Sequence, residues 1–264
     1  VQNGDSIPGG SLGNGYLATI TRRGLPIGSF YGYKVIGVFQ TADQLAGMAH
    51  TSAAQVGDLI YQDMNKDGVI DNKDRVNLGS SIPKFTYGVN TNFSWKEWDL
   101  SIDMQGVLGN KIYNGNRSVR LAGFNFDADQ FTHRWHGQGT SNSYPAALNG
   151  SDSYAFPSSF FVESGSYFRI RNLQLGYYLP MAKKWGFTTF RIFANSQNLV
   201  TIFGYHGFNP EVTGVAPNPL ANGFAQTSNG TITPAANGQA LNMGVDLSTY
   251  PVHATYNLGV TLGF

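Results

Sequence analysis

A twelve-residue loop running from Asp63 to Asp74 has the residue types and spacing of a calcium-binding loop. Oxygen donors stand at loop positions 1, 3, 5, 7, 9 and 12, which are Asp63, Asn65, Asp67, the backbone carbonyl of Val69, Asp71 and Asp74. Gly68 occupies position 6, where EF-hand loops turn sharply so that short carboxylates converge on one hard cation. The spacing therefore predicts a divalent-cation site made of oxygen ligands.

The donor set indicates which ion this loop would hold and what the ion would do. Five side-chain donors plus a carbonyl favour Ca²⁺, although Mg²⁺ stays open. Position 12 is Asp74 rather than Glu, so its side chain is one methylene shorter and reaches less far for bidentate ligation. An extracellular loop of this type binds its ion with a dissociation constant on the order of 10⁻⁴ to 10⁻³ M. Such an ion would order a long loop rather than catalyse a reaction. The alternative is a turn whose side chains bond their own backbone and bind nothing.

Three further patterns resemble catalytic or metal sites but lack the residues that would complete them. Ser11 lies in a G-x-S-x-G pattern with no predicted strand before it and no helix after it. His133 and His136 are three residues apart, without a third ligand at a suitable spacing. The carboxylates of Asp127 and Asp129 are close in sequence, which says nothing about their separation in space. The chain is therefore predicted not to be an enzyme.

The composition of the 264 residues favours an all-β chain and excludes several classes of protein. Charged residues make up only 12%, aromatic residues 14%, and there are 33 glycines, a balance typical of extended, turn-rich structure. The absence of cysteine excludes disulfides and thiolate sites. A net charge of +1 without a basic run argues against a nucleic-acid partner. No apolar run approaches the ~18 residues of a membrane-spanning helix, but strands that cross a membrane need no such run.

Apolar residues recur at every second position in several segments, which predicts β-strands with one apolar and one polar face. Residues 85–95 and 98–105 alternate on either side of the short "WKEW" connection and are predicted to form a hairpin. Residues 167–179 alternate with a change of phase near Arg171 and Asn172, where we expect a β-bulge. Residues 187–200 form a weaker strand candidate, and residues 253–264 form a final strand that ends on Phe264.

The connections between these strands are alternately short and long. The short connections are "WKEW" and "PMAKKWG", whereas the long ones span residues 40–83, 109–166 and 201–252. Outer-membrane barrels have short periplasmic turns and long external loops. Trp95, Trp98 and Trp185 lie at the short-turn end, where an interfacial aromatic girdle would place them. From the alternation alone, a soluble β-sandwich with core aromatics remains the alternative.

Several blocks of sequence resemble the carboxy-terminal part of SusC/RagA-type TonB-dependent outer-membrane transporters of Bacteroidetes. They are "GLPIGSFYGYKVIGVFQ", "GDLIYQDMNKDGVIDNKDRVNLGSSIPKFTYGVNTNFSWKEWDLSIDMQGVLGNKIYN", "SYFRIRNLQLGYYLP", "RIFANSQNLVTI" and the terminal aromatic residue. The resemblance covers residues 25–114, 163–213 and 250–264 in the expected order. The variable segments fall where the long loops are predicted.

The resemblance implies that residues 1–264 form the carboxy-terminal segment of a 22-stranded antiparallel transmembrane β-barrel with long extracellular loops. The plug domain and the earlier strands are not recognisable in this chain. We expect the chain to be a fragment, a processed piece or half of a split barrel, because a partial sheet would leave its edges unpaired in lipid. The opening "VQNGDSIPGG" has no basic or apolar region of a signal peptide.

The resemblance also implies a function, a location and a set of partners. The family imports bulky nutrients, oligosaccharides or peptides, across the outer membrane. A SusD-like surface lipoprotein lids the barrel, and the TonB, ExbB and ExbD complex acts through the part of the protein absent here. The barrel would also contact the remaining barrel and plug segment and membrane lipid. The alternative function is a secreted calcium-dependent carbohydrate-binding β module, which would share the metal loop and the aromatic residues.

Three groups of residues are expected to serve this function. Loop side chains that could contact a substrate are Trp135, Tyr144, Tyr154, Tyr205 and Asn209. Arg169 and Arg171 are predicted to share the strand face that lines the water-filled interior. The terminal Phe264 resembles the signal by which the outer-membrane assembly machinery recognises barrel substrates, and it also completes the last strand.

Overall fold

The computed structural model describes residues 6–9, 16–118, 127–148, 151–212, 242–247 and 249–264. Ser11 and most of the predicted 201–252 connection lie outside these residues. The chain divides into two compact units. Unit 1 takes in 1–82, 111–163 and 211–248, and unit 2 takes in 83–110, 164–210 and 249–264. Most of the residues predicted to form long connections thus lie in unit 1, and the strands predicted from alternation lie in unit 2.

The strands of the described residues, in chain order, are β1 (Ile7–Pro8), β2 (Thr19–Thr21), β3 (Ser29–Gly32), β4 (Val35–Val38), β5 (Leu59–Tyr61), β6 (Val76–Gly79), β7 (Phe85–Trp95), β8 (Trp98–Leu108), β9 (Lys111–Asn114), β10 (Val162–Ser164), β11 (Tyr167–Tyr178), β12 (Thr189–Phe203), β13 (Val245–Asp246) and β14 (Thr255–Gly263). The helices are α1 (Ala42–Gly47), α2 (Gly115–Ser118), α3 (Ala128–His133) and α4 (Asp152–Ala155), with 3₁₀ turns at Asn72–Asp74, Ser159–Phe161 and Ala182–Trp185. Among the described residues, no helix has the length and apolar character needed to cross a membrane.

Unit 2 is one antiparallel sheet with the strand order β14-β12-β11-β8-β7. The predicted hairpin is confirmed, because β7 and β8 pair from Phe85 opposite Leu108 to Trp95 opposite Trp98. Lys96 takes a left-handed φ of 53° in the two-residue turn between them. The all-β fold class is therefore confirmed. In the described sheet, β7 and β14 pair on one side only, so barrel closure and the count of 22 strands remain predictions.

The two faces of this sheet differ in polarity along the registered rows. One row that crosses all five strands is mainly apolar and consists of Phe93, Leu100, Leu175, Ala194 and Leu258. The adjacent row on the opposite face consists of uncharged polar side chains, Asn92, Ser101, Gln174, Asn195 and Asn257. Phe93 is 60% exposed and Leu258 is 86% exposed, so the apolar face is open rather than packed as a core.

The predicted β-bulge is confirmed and it separates the two arginines of β11. The register shifts between Ile170 and Asn172 against both neighbouring strands. Arg171 falls at this irregularity and is exposed. Arg169 is buried, and its guanidinium donates to Thr201 Oγ1 at 2.9 Å and to Asn209 Oδ1 at 3.2 Å. The two guanidiniums therefore do not share one water-exposed environment, because the bulge interrupts the alternation on which that prediction rested.

Unit 1 contains short strands in three small sheets and two hydrophobic clusters. The sheets have the orders β1-β2-β3-β6, β10-β9-β13 and β4-β5. One cluster packs Phe30, Tyr113 and Phe161, each fully buried. The other packs Tyr33 and Leu59 with Val38, Tyr61 and Ile70. The connections predicted to be loops therefore fold into a unit with its own apolar core.

An ion pair on the polar face of the sheet links two strands that are not neighbours. Arg191 of β12 binds Asp99 of β8 with both ends of its guanidinium, at 2.9 Å to Oδ1 and 2.6 Å to Oδ2. Gly176 of the intervening strand β11 lies beneath the pair, and a Cβ there would overlap both charged groups. The close approach of Arg191 and Asp99 across β11 therefore requires glycine at position 176.

Replacing Gly176 by valine should break this ion pair without changing the strand sequence pattern. We expect the free energy of unfolding to fall by roughly 2–3 kcal/mol, because the valine side chain forces a partly buried ion pair apart. The measurement is the temperature at which the intact protein changes from folded to unfolded mobility on a detergent gel. Gly88→Val is the matched control, because the nearest atom to its Cβ is Met104 O at 3.8 Å. An equal decrease in unfolding temperature for the two variants would contradict the stabilising role of the ion pair above Gly176.

Candidate functional site

The predicted metal loop lies in unit 1 between two strands. It begins two residues after β5, ends in the 3₁₀ turn Asn72–Asp74, and is followed by β6 from Val76. Gly68, at loop position 6, has a φ of +87°. A Cβ at Gly68 would meet no atom within 4 Å, so the glycine is required by the left-handed backbone and not by crowding.

The first half of the loop is held by side-chain oxygens that accept from its own backbone. Asp63 Oδ1 accepts from Lys66 N at 2.6 Å, and Asp63 Oδ2 accepts from Gly68 N at 2.9 Å. Asp67 Oδ1 accepts from Val69 N at 3.0 Å, and Asn65 Nδ2 donates to Asp67 Oδ2 at 2.7 Å. The hydrogen bond from the Val69 amide, followed by the one from Asn65, lowers the pKa of Asp67 below its usual value.

The second half of the loop is a capping box. Asp71 Oδ1 accepts from Lys73 N at 2.7 Å, while Asp74 Oδ2 accepts from Asp71 N at 2.8 Å. Asp74 is fully buried and its Oδ1 also accepts from Met64 N at 2.8 Å. The Lys73 ammonium lies 3.5 Å from Asp71 and 3.8 Å from Asp67. A lysine cation thus already faces two of the predicted ligands.

The donor chemistry of the loop suits a divalent cation. Its donors are hard oxygens on a sharp turn, and each carboxylate oxygen that accepts one backbone proton keeps a second lone pair. In the described part of the chain, however, no three acidic, histidine or cysteine side chains converge as a metal site. The donor chemistry and the glycine conformation fit Ca²⁺ or Mg²⁺. The ion itself stays a prediction.

The residue after the loop fastens it to the core of unit 1. The Arg75 guanidinium donates to the carbonyl oxygens of Leu17 and, at 2.8 Å, of Tyr31, and it lies 4.8 Å from the centre of the Tyr31 ring. Burial lowers the pKa of Arg75, and burial raises the pKa of the neighbouring Tyr33. The end of the loop is therefore set by buried groups, whereas its first half is exposed.

The five predicted substrate contacts differ in exposure. Tyr154 is 2% exposed, Tyr205 5% and Asn209 8%, and this burial argues against direct contact with a substrate. Trp135 and Tyr144 are half-buried. Tyr144 donates to Asp129 Oδ2 at 2.7 Å, and burial followed by this hydrogen bond raises its pKa. The prediction of substrate contact therefore depends mainly on Trp135 and Tyr144.

The two histidines and Asp129 bind groups close to them in sequence. His133 Nδ1 lies 2.9 Å from Asp129 Oδ1, and His136 Nδ1 lies 3.1 Å from the Arg134 carbonyl oxygen. Both histidines are exposed. His133 is the last residue of α3 rather than part of a loop, and each Nδ1 bonds within its own segment. Asp129 joins His133 to Tyr144 and is thereby part of a surface network.

Gln40 joins two segments of unit 1 that are about a hundred residues apart, and the sequence carries no signal for it. Its Oε1 accepts from Trp135 Nε1 at 3.1 Å and from Gly139 N at 2.9 Å. Its Nε2 donates to the carbonyl oxygens of Val38 and Ser141, both at 2.9 Å. One amide thus holds the Trp135 indole in place, which makes Gln40 a positioning residue for a predicted contact.

Asp58 forms a second connection of this kind. It is buried, and its Oδ1 accepts from Ser151 Oγ and, at 3.1 Å, from Ser153 Oγ. Its Oδ2 accepts from Gln55 N at 2.8 Å, and Ser153 Oγ accepts from Leu59 N at 2.7 Å. These bonds satisfy a buried carboxylate and join α4 and the residue before it to the start of β5.

The chain is similar in sequence to several known proteins. It is 30% identical over 263 residues to TonB-dependent receptor P3 of Formosa agariphila, covering 98% of this chain and 24% of that protein. It is 24% identical over 229 residues to TonB-dependent receptor SusC of Bacteroides thetaiotaomicron, covering 83% of this chain and 20% of SusC. The chain therefore spans about a quarter of the length of the relatives it matches. No family model matches it.

Solved structures share the fold. The RagAB peptide importer in its open-open state superposes with a TM-score of 0.63 at 20% identity, over 94% of this chain and 23% of that chain. The RagAB peptide transporter gives a TM-score of 0.64 with the same identity. The chain thus shares the β-fold of these structures. These similarities agree with the predicted resemblance to SusC/RagA-type TonB-dependent transporters and with the predicted outer-membrane location. They also agree with the prediction that the chain is not an enzyme, since these relatives are receptors and transporters.

Tyr154 allows the core of unit 1 to be tested by pH. Burial raises its pKa to about 12, although the hydrogen bond from Gln130 Nε2 at 2.8 Å partly opposes the rise. The neutral phenol therefore contributes stability below pH 10, the unfolded value, and loses it as the pH rises towards 12. A pKa shift of this size corresponds to roughly 2–3 kcal/mol in the free energy of unfolding.

The measurement is the phenolate absorbance of the intact protein minus that of Tyr154→Phe. We expect the difference to titrate with a midpoint near 12, two units above an exposed tyrosine. Tyr250→Phe is the control, because Tyr250 is 81% exposed. A midpoint near 10 for Tyr154 would show that the side chain is not buried.

Proposed function

We propose that this chain is part of a TonB-dependent importer of bulky nutrients in the outer membrane. The observation that carries the proposal is the five-stranded sheet of unit 2, with an exposed apolar face opposite a polar face. Exposed rows of large apolar side chains would be unstable in water over so wide an area. In a barrel wall the same rows meet lipid while the polar rows line the interior.

The partners and the cargo form the finer part of the proposal. A SusD-like lipoprotein is the proposed lid, and the TonB, ExbB and ExbD complex is the proposed energy source. Both follow from the similarity to SusC and to the RagAB peptide importer. The cargo is an oligosaccharide or a peptide. A secreted carbohydrate-binding module is disfavoured, because Leu258 and Phe264 of the last strand are 86% and 89% exposed.

The function is tested by deleting the full-length gene and growing the strain on single oligosaccharides or peptides. We expect loss of growth on one class of polymer, restored by the full-length protein only when TonB is present. The purified protein should need detergent, change mobility on heating and copurify with a lipoprotein. Recovery as a compact monomer in plain buffer would reject the proposal.

We propose Ca²⁺ for the loop from Asp63 to Asp74, with Mg²⁺ as the weaker ligand. The ion would be held by the side chains of Asp63, Asn65, Asp67 and Asp71 and by the carbonyl oxygen of Val69. Asp74 at position 12 would complete the ligand set. Such an ion would order the exposed first half of the loop, on which the lid lipoprotein could rest.

Calcium titration of the intact protein tests this assignment. We expect heat release with a dissociation constant on the order of 10⁻⁴ to 10⁻³ M and no comparable signal with Mg²⁺. The double variant Asp63→Asn/Asp67→Asn should lose the signal, because it removes two ligand charges and keeps the side-chain shape. Asp43→Asn, in the first turn of α1, is the control. Undiminished binding in the double variant would reject the loop as the site.

We propose that Phe264 contributes to recognition by the outer-membrane assembly machinery. Its ring is 89% exposed and lies 5.3 Å from the ring of Phe187, centre to centre. Deleting Phe264 should lower the amount of assembled protein severalfold and leave uptake per assembled molecule near the wild-type value. Immunoblots of heat-modifiable protein in the outer membrane measure the first quantity. Thr261→Ala on the same strand is the control, and unchanged assembly after the deletion would count against the signal.

A further inference from the structure

The tip of the loop from Asp63 to Asp74 contains two neighbouring residues whose groups can react with each other. Asp67 is followed by Gly68, and both residues are exposed. A backbone nitrogen can attack the side-chain carboxyl carbon of the aspartate that precedes it. Glycine favours this attack, because it has no side chain to shield its nitrogen and it rotates freely about its backbone bonds. Among the described residues, this is the pair in which aspartate precedes glycine.

The reaction between these two residues needs no co-reactant except water. A bond forms between the Gly68 nitrogen and the Asp67 Cγ, and the carboxyl OH leaves with the amide proton as water. The product is a five-membered succinimide ring. Water then opens the ring at either of its carbonyl carbons. One opening restores aspartate, and the other gives isoaspartate, in which the backbone runs through Cγ and is longer by a single atom.

In the folded loop, Asp63 holds the nitrogen that would attack. Its Oδ2 accepts the amide proton of Gly68 at 2.9 Å, and its Oδ1 accepts from Lys66 N at 2.6 Å. The second bond fixes the Asp63 carboxylate in place, so that the first bond keeps the Gly68 N–H directed at Asp63. The nitrogen can therefore attack Asp67 only after a hydrogen bond to a charged group has broken.

The carboxyl group of Asp67 is also held, through both of its oxygens. Oδ1 accepts from Val69 N at 3.0 Å, and Oδ2 accepts from the Asn65 side-chain nitrogen at 2.7 Å. Ring closure removes one of these oxygens as water, so at least one of the two hydrogen bonds must be lost. The loop thus restrains both the attacking nitrogen and the carbon that it would attack.

The Asn–Gly pair of the described residues is protected in a different way. Asn114 is 1% exposed and donates its side-chain amide to Glu163 Oε1 at 2.9 Å, and a Cβ on Gly115 would lie 2.6 Å from Leu247 Cδ2. Close packing restrains that pair. A Cβ on Gly68 would meet no atom within 4 Å, so hydrogen bonds rather than packing restrain the exposed pair. Removing a single side chain can therefore release it.

We propose that Asp67 and Gly68 form a latent site of isoaspartate modification, which Asp63 keeps unreactive in the folded protein. Asp63 has this protective role without any bound ion. The extra backbone atom of isoaspartate displaces the amides of Gly68 and Val69 from their present acceptors, so the modification disorders the first half of the loop. The inference goes beyond the proposed function, because it holds whether or not the protein is an importer.

The test is the rate of isoaspartate formation at position 67 in the full-length protein. The protein is incubated in detergent at neutral pH with a chelator, and electron-transfer mass spectrometry of its peptides separates isoaspartate from aspartate. Asp63→Ala should raise the rate about tenfold, the factor expected for losing one hydrogen bond to a charged group. Asp63→Asn should raise it less, because its amide oxygen can still accept from Gly68. Asp71→Ala is the matched control and should keep the wild-type rate, because this carboxylate of the same loop accepts from Lys73 N.

A second measurement needs no variant and therefore does not depend on whether Asp63→Ala folds. The wild type unfolded in denaturant should form isoaspartate at position 67 at least about tenfold faster than the folded protein, since all of these hydrogen bonds are lost. Equal rates in the folded and unfolded protein, or no isoaspartate at position 67 in either, would overturn the site. Circular dichroism shows which variants are folded. Among folded variants, a rate for Asp63→Ala equal to that of the wild type or of Asp71→Ala would overturn the protective role of Asp63.

Discussion

Backbone hydrogen bonding between neighbouring strands is the constraint on which the architecture of unit 2 depends. A membrane offers no water to an unpaired amide or carbonyl group, so each strand that crosses it must be paired along both edges. β12 meets this requirement, since it pairs with β11 on one side and with β14 on the other. β7 and β14 meet it on one side only within the described sheet. The chain spans about a quarter of the length of the relatives it matches.

Once the pairing is fixed, the alternation of side chains decides the character of each face. A row of amides and a hydroxyl crosses the polar face, and Asn195 Nδ2 bonds the side-chain oxygen of Asn172. The ionic contact between Arg191 and Asp99 is internally neutral. The polar wall therefore presents many hydrogen-bonding groups with little net charge.

The features predicted correctly from the sequence are those encoded by neighbouring residues. The hairpin and the bulge follow from a period of two and its change of phase, both visible within about a dozen residues. The features missed depend on contacts between distant segments. Gln40 and Asp58 bond residues roughly a hundred positions away, and no local pattern marks them. The same limit explains Tyr205 and Asn209, which looked like exposed loop residues but are buried.

The metal loop shows why two interpretations of one sequence need not exclude each other. The bonds from Asp63 and Asp67 to their own backbone are the turn chemistry of a metal-free loop. The same bonds hold these carboxylates near their positions before any ion arrives, which lowers the entropy cost of binding. Lys73 works in the opposite direction, because an incoming cation must displace its ammonium from Asp67 and Asp71. Preorganisation and this internal cation together would give weak, reversible binding, which suits a loop whose end is already fastened through Asp74 and Arg75.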